Sequence, residues 1–230
     1  MKNLPLILLC CLTFTLGCGL SSKLANLTSN TGSSNGTTSG PSTTTASGDP
    51  RDDVIQACRK FVALPKFRET IASQGTGANS LNMKLDFVAP DRFHLYFLEP
   101  SGNVKTETVM IGKDMYVKAA GRWIKMPGAV ADNKIPNMRD FFNEEGIKNL
   151  KEVKYEGDDS VDGAPMHIYS YHSDKTATNS AAPYASTAKI WIASSDGLPK
   201  KMEVKYDGGE MNPMSINFDY SSDISIEPPV

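Results

Sequence analysis

Beyond its first eighteen residues the 230-residue chain has one cysteine, Cys58, so no disulfide framework can hold its fold. It has three histidines, His94, His167 and His172, and none stands in a His-Glu-x-x-His, Cys-His or carboxylate-spaced array. His167 and His172 are five apart on one extended stretch, so they point to opposite faces, which argues against a shared metal. Asp158-Asp159-Ser160-Val161-Asp162-Gly163 lacks the ligand spacing of a calcium loop and the glutamate that closes one, and reads as a turn. There is no Gly-x-Ser-x-Gly elbow and no glycine-rich phosphate loop, so a hydrolase has no nucleophile and a nucleotide has no cradle. The net charge is −2 without a Lys/Arg cluster, which removes the footprint of nucleic-acid binding. These absences leave no catalytic, cofactor or metal constellation and point to a binding or structural protein rather than an enzyme.

What is present begins with an address. Lys2 gives a positive start, and Leu4 to Leu16 is an apolar run of thirteen residues, too short for the roughly 20 that a spanning helix needs. Residues 1–17 therefore read as a secretory signal peptide. Its end, Phe14-Thr15-Leu16-Gly17-Cys18, resembles the lipobox of bacterial lipoproteins, with Thr15 where that family prefers Leu. The resemblance implies that Cys18 becomes acylated and anchors the chain to a membrane. At roughly 0.8 kcal/mol per buried methylene, its acyl chains suffice without a transmembrane helix. Gly19 replaces the aspartate that retains some lipoproteins at the inner membrane, which favours the outer membrane.

Residues 18–50 are the anchor and a tether. From Thr28 to Gly48 every residue is Thr, Ser, Asn, Gly, Pro or Ala, with nothing to bury against the entropy of ordering. Such a linker reaches on the order of 30 Å.

Residues 51–230, in a chain 40% hydrophobic, hold enough apolar material for one sizeable core. Asp52 and Asp53 precede Val54, Cys58 and Phe61 at helical spacing, which predicts a short amphipathic helix ending before Pro65. Cys58 lies on its apolar stripe and reads as a small buried hydrophobe. Lys66 to Gly75 is a first strand, with Phe67, Glu69 and Ile71 on one face. Leu81 to Phe97 is the clearest hairpin. Leu81, Met83, Leu85 and Phe87 alternate with polar residues, Ala89-Pro90-Asp91 turns the chain, and Phe93, Leu95 and Phe97 resume. The reverse face, with His94, Tyr96 and Leu98, is apolar enough to need partial cover. Further strands are predicted at Val104–Ile111, Met115–Lys118, Arg122–Met126, Glu152–Glu156, Met166–His172, Thr187–Ala193, Lys200–Tyr206 and Met214–Tyr220. Turns fall at Asp158-Asp159, Asp162-Gly163, Asp196-Gly197 and Asp207-Gly208-Gly209. Between the two runs of strands, Asn137 to Gly146 reads as one or two helical turns made sticky by Met138, Phe141 and Phe142. The fold class is α+β: a large antiparallel sheet with a short N-terminal helix and a helical insertion.

The order of these elements resembles the LolA/LolB-like lipoprotein-carrier family, with its LppX/LprG-type members. The resemblance is carried by Ala89-Pro90-Asp91-Arg92-Phe93, by Ile111-Gly112-Lys113-Asp114-Met115-Tyr116 with Trp123, by Ile190-Trp191-Ile192 with Asp196-Gly197-Leu198-Pro199, and by Ile226-Glu227-Pro228-Pro229. It covers residues 50 to 230. It implies a curved half-barrel sheet closed by helices over an apolar cavity, here with the insertion covering the concave face, and it places basic residues where Arg92 stands.

The apolar set of the sheet is Leu81, Met83, Leu85, Phe87, Phe93, Leu95 and Phe97, joined by Met110, Met115, Met166, Ile168 and Trp191. These residues either line a cavity or fill a core; nine methionines after residue 80 suit either. With the resemblance they become candidate contacts for lipid or lipoprotein acyl chains, and Met138, Phe141 and Phe142 become a lid. Two rivals stand beside this lipid-binding, membrane-anchored envelope lipoprotein: a stress-sensing module that touches an envelope protein, and a structural lipoprotein with a solid core.

Overall fold

The computed structural model describes residues 48–73, 82–127, 139, 142, 144–173, 185–207 and 212–229. Cys18, the tether up to residue 47, Leu81, Met138 and Phe141 lie outside the described residues.

The one long helix among the described residues, α1 (Pro50–Val62), follows from its ends. Asp49 caps it by accepting from the Arg51 N–H at 2.8 Å, Pro50 occupies the first turn, where no backbone donor is missed, and Asp52 and Asp53 follow. Arg59 and Lys60 sit in the last turn, where cations complement the helix dipole. Val54, Ile55, Ala57, Cys58 and Phe61 form the buried stripe. Cys58 is inside it, as its spacing predicts, and burial pushes its thiol pKa far above the ordinary range.

Eleven strands follow: β1 (Lys66–Ser73), β2 (Asn82–Val88), β3 (Arg92–Leu98), β4 (Val104–Ile111), β5 (Asp114–Ala119), β6 (Arg122–Pro127), β7 (Leu150–Val161), β8 (Ala164–Ser173), β9 (Ser186–Ala193), β10 (Pro199–Tyr206) and β11 (Met214–Asp219). A short helix, α2 (Glu144–Lys148), lies between β6 and β7. All pairings are antiparallel, and the order is β6-β5-β4-β3-β2-β1-β11-β10-β9-β8-β7. The sheet is not closed, since β6 and β7 are its two edges, and its build fits a curved half-barrel.

This order has a consequence for the connection between the halves. The first six strands run outward from the centre to one edge, and β7 to β11 run inward from the other until β11 pairs with β1. The segment from β6 to β7 must therefore cross from edge to edge. Its described residues lie against α1 and its face of the sheet: Phe142 meets Phe61 edge-on at 5.1 Å, and the Arg139 guanidinium lies 5.3 Å from the Phe87 ring. Arg59 of α1 grips Glu144 of α2 at 2.9 Å, and Arg51 reaches the Ile147 carbonyl at 3.4 Å.

Most boundaries move by a residue or two from the sequence reading, and two differences are larger or change an assignment. α2 runs to Lys148 instead of stopping at Gly146. The turn read at Asp158-Asp159 is strand, because β7 is twelve residues long and absorbs Gly157, at φ 112°, where its register against β8 shifts. The chain turns only at Asp162-Gly163, with φ of 51° and 80°, the left-handed pair a two-residue hairpin needs. β7 is a polar edge strand exposed on both faces, so it carries no alternation to read.

Candidate functional site

The site is built from the face of the sheet that α1 covers. In the hairpin, Met83 faces Phe97, Leu85 faces Leu95 and Phe87 faces Phe93 in register. The same face continues to Met110 and Met115 through the Phe93–Met110 and Met110–Met115 pairs. In the other direction it runs through Phe67, Glu69 and Ile71 of β1 to Phe218 and Ile216 of β11, then Met202, Val204 and Ile190. Aromatic rings form a row beneath the helix. Phe67 lies 5.0 Å from Phe87 and Phe87 lies 5.1 Å from Phe93, while Phe61 of α1 sits 4.6 Å from Phe67 and 5.2 Å from Phe218. Offset and edge-on contacts of this kind add to the burial of the rings. Two buried tyrosines secure the other half. Tyr169 donates to Asp53 of α1 at 2.8 Å, and Tyr171 donates to the Met202 sulfur at 3.4 Å.

Eight of the residues singled out from the sequence thus share this inner face: Met83, Leu85, Phe87, Phe93, Leu95, Phe97, Met110 and Met115. Three do not. Met166, Ile168 and Trp191 pack on the opposite face with Val161 and Ala193, as a separate cluster. The register shows why: Trp191 faces Lys201 and Ile168, whereas its neighbour Ile190 faces Met202 and Tyr169 on the helix side. The polar marks on that face are sparse but present: Thr187 and Lys189 alternate with Trp191 on β9, and Ser170 and His172 with Ile168 on β8, so the large apolar side chains outweighed them in the sequence reading. Phe142 of the insertion is buried against Phe61. Tyr169, Tyr171, Phe218 and Met202 are additions that only register reveals.

One member of the inner face is not apolar. Glu69 of β1 is 0% exposed, and neither carboxyl oxygen has a hydrogen-bond partner. Burial alone pushes its pKa from 4.5 up to about 8, so the carboxyl is neutral at pH 7. The alternation Phe67, Glu69, Ile71 already set Glu69 on this face; its isolation could not be read.

Cover thins toward β6. Val117 and Ile124 pair across β5 and β6 on the inner side, as do Met115 and Met126, and Ile124 and Met126 are 52% and 43% exposed.

The outer face has different chemistry. Arg68 grips Asp86 with two bonds of 2.6 and 2.8 Å, His94 meets Glu107 at 3.0 Å, and Lys118 donates to Glu107 at 2.6 Å. Burial works to raise the Glu107 pKa, but the bonds from Lys118 and His94 prevail and lower it. Burial lowers that of His94. The cover this face needs is the C-terminal segment. Ile224 and Ile226 pack with Val109 and Tyr116, against Val88, Ile111 and Trp123. Arg92 holds that strap by donating to the Ile226 carbonyl at 2.5 Å and reaching Glu227 at 3.3 Å. The Ile226-Glu227-Pro228-Pro229 stretch is thus a partner of the Arg92 turn.

Among the described residues no group of three metal-capable side chains converges, and Asp158 is engaged by Tyr155 and His167, each at 2.6 Å. No helix among them is long and apolar enough to cross a membrane.

No protein-family model and no curated protein matches the sequence. The structure, however, is similar to solved ones. LprF from Mycobacterium bovis superposes with a TM-score of 0.60 at 13% identity, over 80% of this chain and 98% of LprF. The Mycobacterium tuberculosis lipoprotein LppX superposes with a TM-score of 0.57 at 10% identity, over 77% of this chain and 98% of LppX. The fold is that of these LppX-like proteins, as the resemblance in sequence order implies.

Proposed function

From that shared fold we propose that the chain is an exported, lipid-anchored envelope protein whose inner face binds acyl chains and shields them from water. The observation that carries this reading is a single apolar face that changes from closed to open along its length. It is sealed by α1 at the centre and left with Ile124 and Met126 exposed at the β6 end. Exposed apolar side chains adjoining a core mark binding surfaces in soluble proteins. Unbranched methionines, here Met83, Met110, Met115 and Met126, adapt to chains of varied shape. The edge-to-edge insertion, with Phe142 on Phe61 and Arg139 over Phe87, supports a lid over the concave side, to which Met138 and Phe141 would add apolar surface. LppX, which has this fold, is a lipoprotein, and Cys18 supplies the matching anchor here. The role is binding and transfer by partitioning, without catalysis.

Native mass spectrometry of residues 49–230, purified without detergent, tests the reading. Acyl lipid bound at one copy per chain is the expected result. A ligand-free protein that also fails to take up a fluorescent fatty acid would overturn it. For the anchor, labelled palmitate incorporation disappears with Cys18→Ala; incorporation that survives rejects Cys18.

A further inference from the structure

Glu69 occupies the middle strand of the eleven, flanked in register by Leu85 on β2 and Phe218 on β11. Phe67 and Ile71 stand above and below it on β1, and the Phe61 ring touches both Phe67 and Phe218. Tyr220, whose ring lies 6.4 Å from those of both Phe61 and Phe218, donates its hydroxyl to the Pro199 carbonyl and not to Glu69. A carboxyl with both oxygens unpaired in such surroundings destabilises the fold, and a leucine would pack there without that penalty. Its presence calls for a partner that the described residues do not provide.

We propose that the Glu69 carboxyl is the polar anchor of the inner-face site and takes the carbonyl group of an acyl lipid, whether ester, amide or free acid. The proposal rests on the acyl-binding reading above. A neutral carboxylic acid has one O–H to donate and needs an acceptor. Along an acyl chain the methylenes offer none; the carbonyl at its head is the first group that can accept. The apolar flanks from Leu85 to Phe93 on one side and from Phe218 to Met202 on the other would then carry the chain. Phe61, whose ring packs on Phe67 and Phe218 next to Glu69, is the plug, and it must swing aside for a carbonyl to reach the carboxyl. Buried hydrogen bonding of this kind discriminates against analogues that lack the polar group, because the protein's own group is then left unpaired.

The test uses the full chain in detergent micelles, exposed to equal amounts of methyl palmitate, palmitic acid and the alkane of matching length, with occupancies read by native mass spectrometry. Comparing each ratio between wild type and variant cancels how the probes partition into the micelle. We expect wild type to favour the carbonyl probes over the alkane by about tenfold more than Glu69→Leu does. Glu69→Gln, whose amide still donates, keeps most of the preference. The ester-to-acid ratio identifies which source supplies the carbonyl. Should Glu69→Leu fail to fold, Glu69→Met makes the same comparison. Equal ratios in wild type and the apolar variant overturn the anchor while leaving acyl binding intact. A wild type that binds none of the three probes overturns the acyl-binding reading and the anchor with it.

Discussion

Around Glu69 the inner face is closed, with Phe61, Phe67 and Phe87 each 0% exposed, whereas at the β6 end of the same face Ile124 and Met126 remain 52% and 43% exposed. Both regions are antiparallel sheet whose inner positions are apolar at alternate residues, Glu69 excepted. The difference lies in what covers them. α1 covers the centre and the other half of the sheet, with Phe61 on Phe67 of β1 and Phe218 of β11 and with Asp53 bonded to Tyr169 of β8, and nothing among the described residues does so for β5 and β6. Identical local patterning therefore yields a packed core in one place and an accessible apolar surface in the other. Stability should reside in the first and ligand entry in the second, while Glu69 stands within the closed region, which a ligand reaches only when Phe61 moves.

The sharpest break is at the plug. Phe61→Ala removes a fully buried ring that touches Phe67, Phe142 and Phe218, and should cost about 3–5 kcal/mol in a denaturant titration. A loss below about 1 kcal/mol would mean that the closed region is not packed as described. Next comes the pH response of Glu69. Its folded pKa of about 8 exceeds the ordinary 4.5, so the folded state holds this proton more tightly. The stabilisation is complete below about pH 4.5 and is lost as pH rises toward about 8. Melting temperature should fall across that window in wild type and stay flatter in Glu69→Gln, and parallel curves would remove the linkage.

On the outer face, Arg92→Ala should cost only about 1 kcal/mol, since the side chain is partly exposed. It should also shift Trp123 fluorescence as the strap loosens; an unchanged spectrum and melting point would show that the strap holds without it. The opposite signature belongs to the open region. Ile124→Ala with Met126→Ala should change stability by only about 0.5 kcal/mol or less while weakening uptake of a fluorescent fatty acid. Unaltered uptake would remove β6 from the binding surface. The smallest effect is at Cys58, which should resist thiol reagents at pH 8 until the protein unfolds.

How legible each region was follows from its contrast in polarity. β2 and β3 alternate cleanly, so their face, their hairpin and the pairing of Leu85 with Leu95 could be read directly. The amphipathic stripe of α1 was equally plain, and Cys58 with it. β8 and β9 carry large apolar side chains on both faces, with Thr187, Lys189, Ser170 and His172 interleaved on only one of them, and there the reading put Met166, Ile168 and Trp191 with residues from which the sheet separates them. β7 failed in the other direction, being polar on both faces and so hidden beyond its first residues. Arg92 could be placed at its turn, but its partner lies 134 residues away in the C-terminal strap.

By itself the sequence determined the strands and the helix of the described residues, while the export signal and tether are expectations drawn from it. Each depends on composition or on a period repeated within a few residues. The tertiary structure alone decided that β11 closes against β1, that β6 and β7 stand at opposite edges, which side of β8 and β9 faces the helix, and that Glu69 has no partner among the described residues. Those are properties of pairs brought together from distant parts of the chain. A residue's burial and hydrogen bonding are set by its neighbours across the sheet, and no local period records who they are.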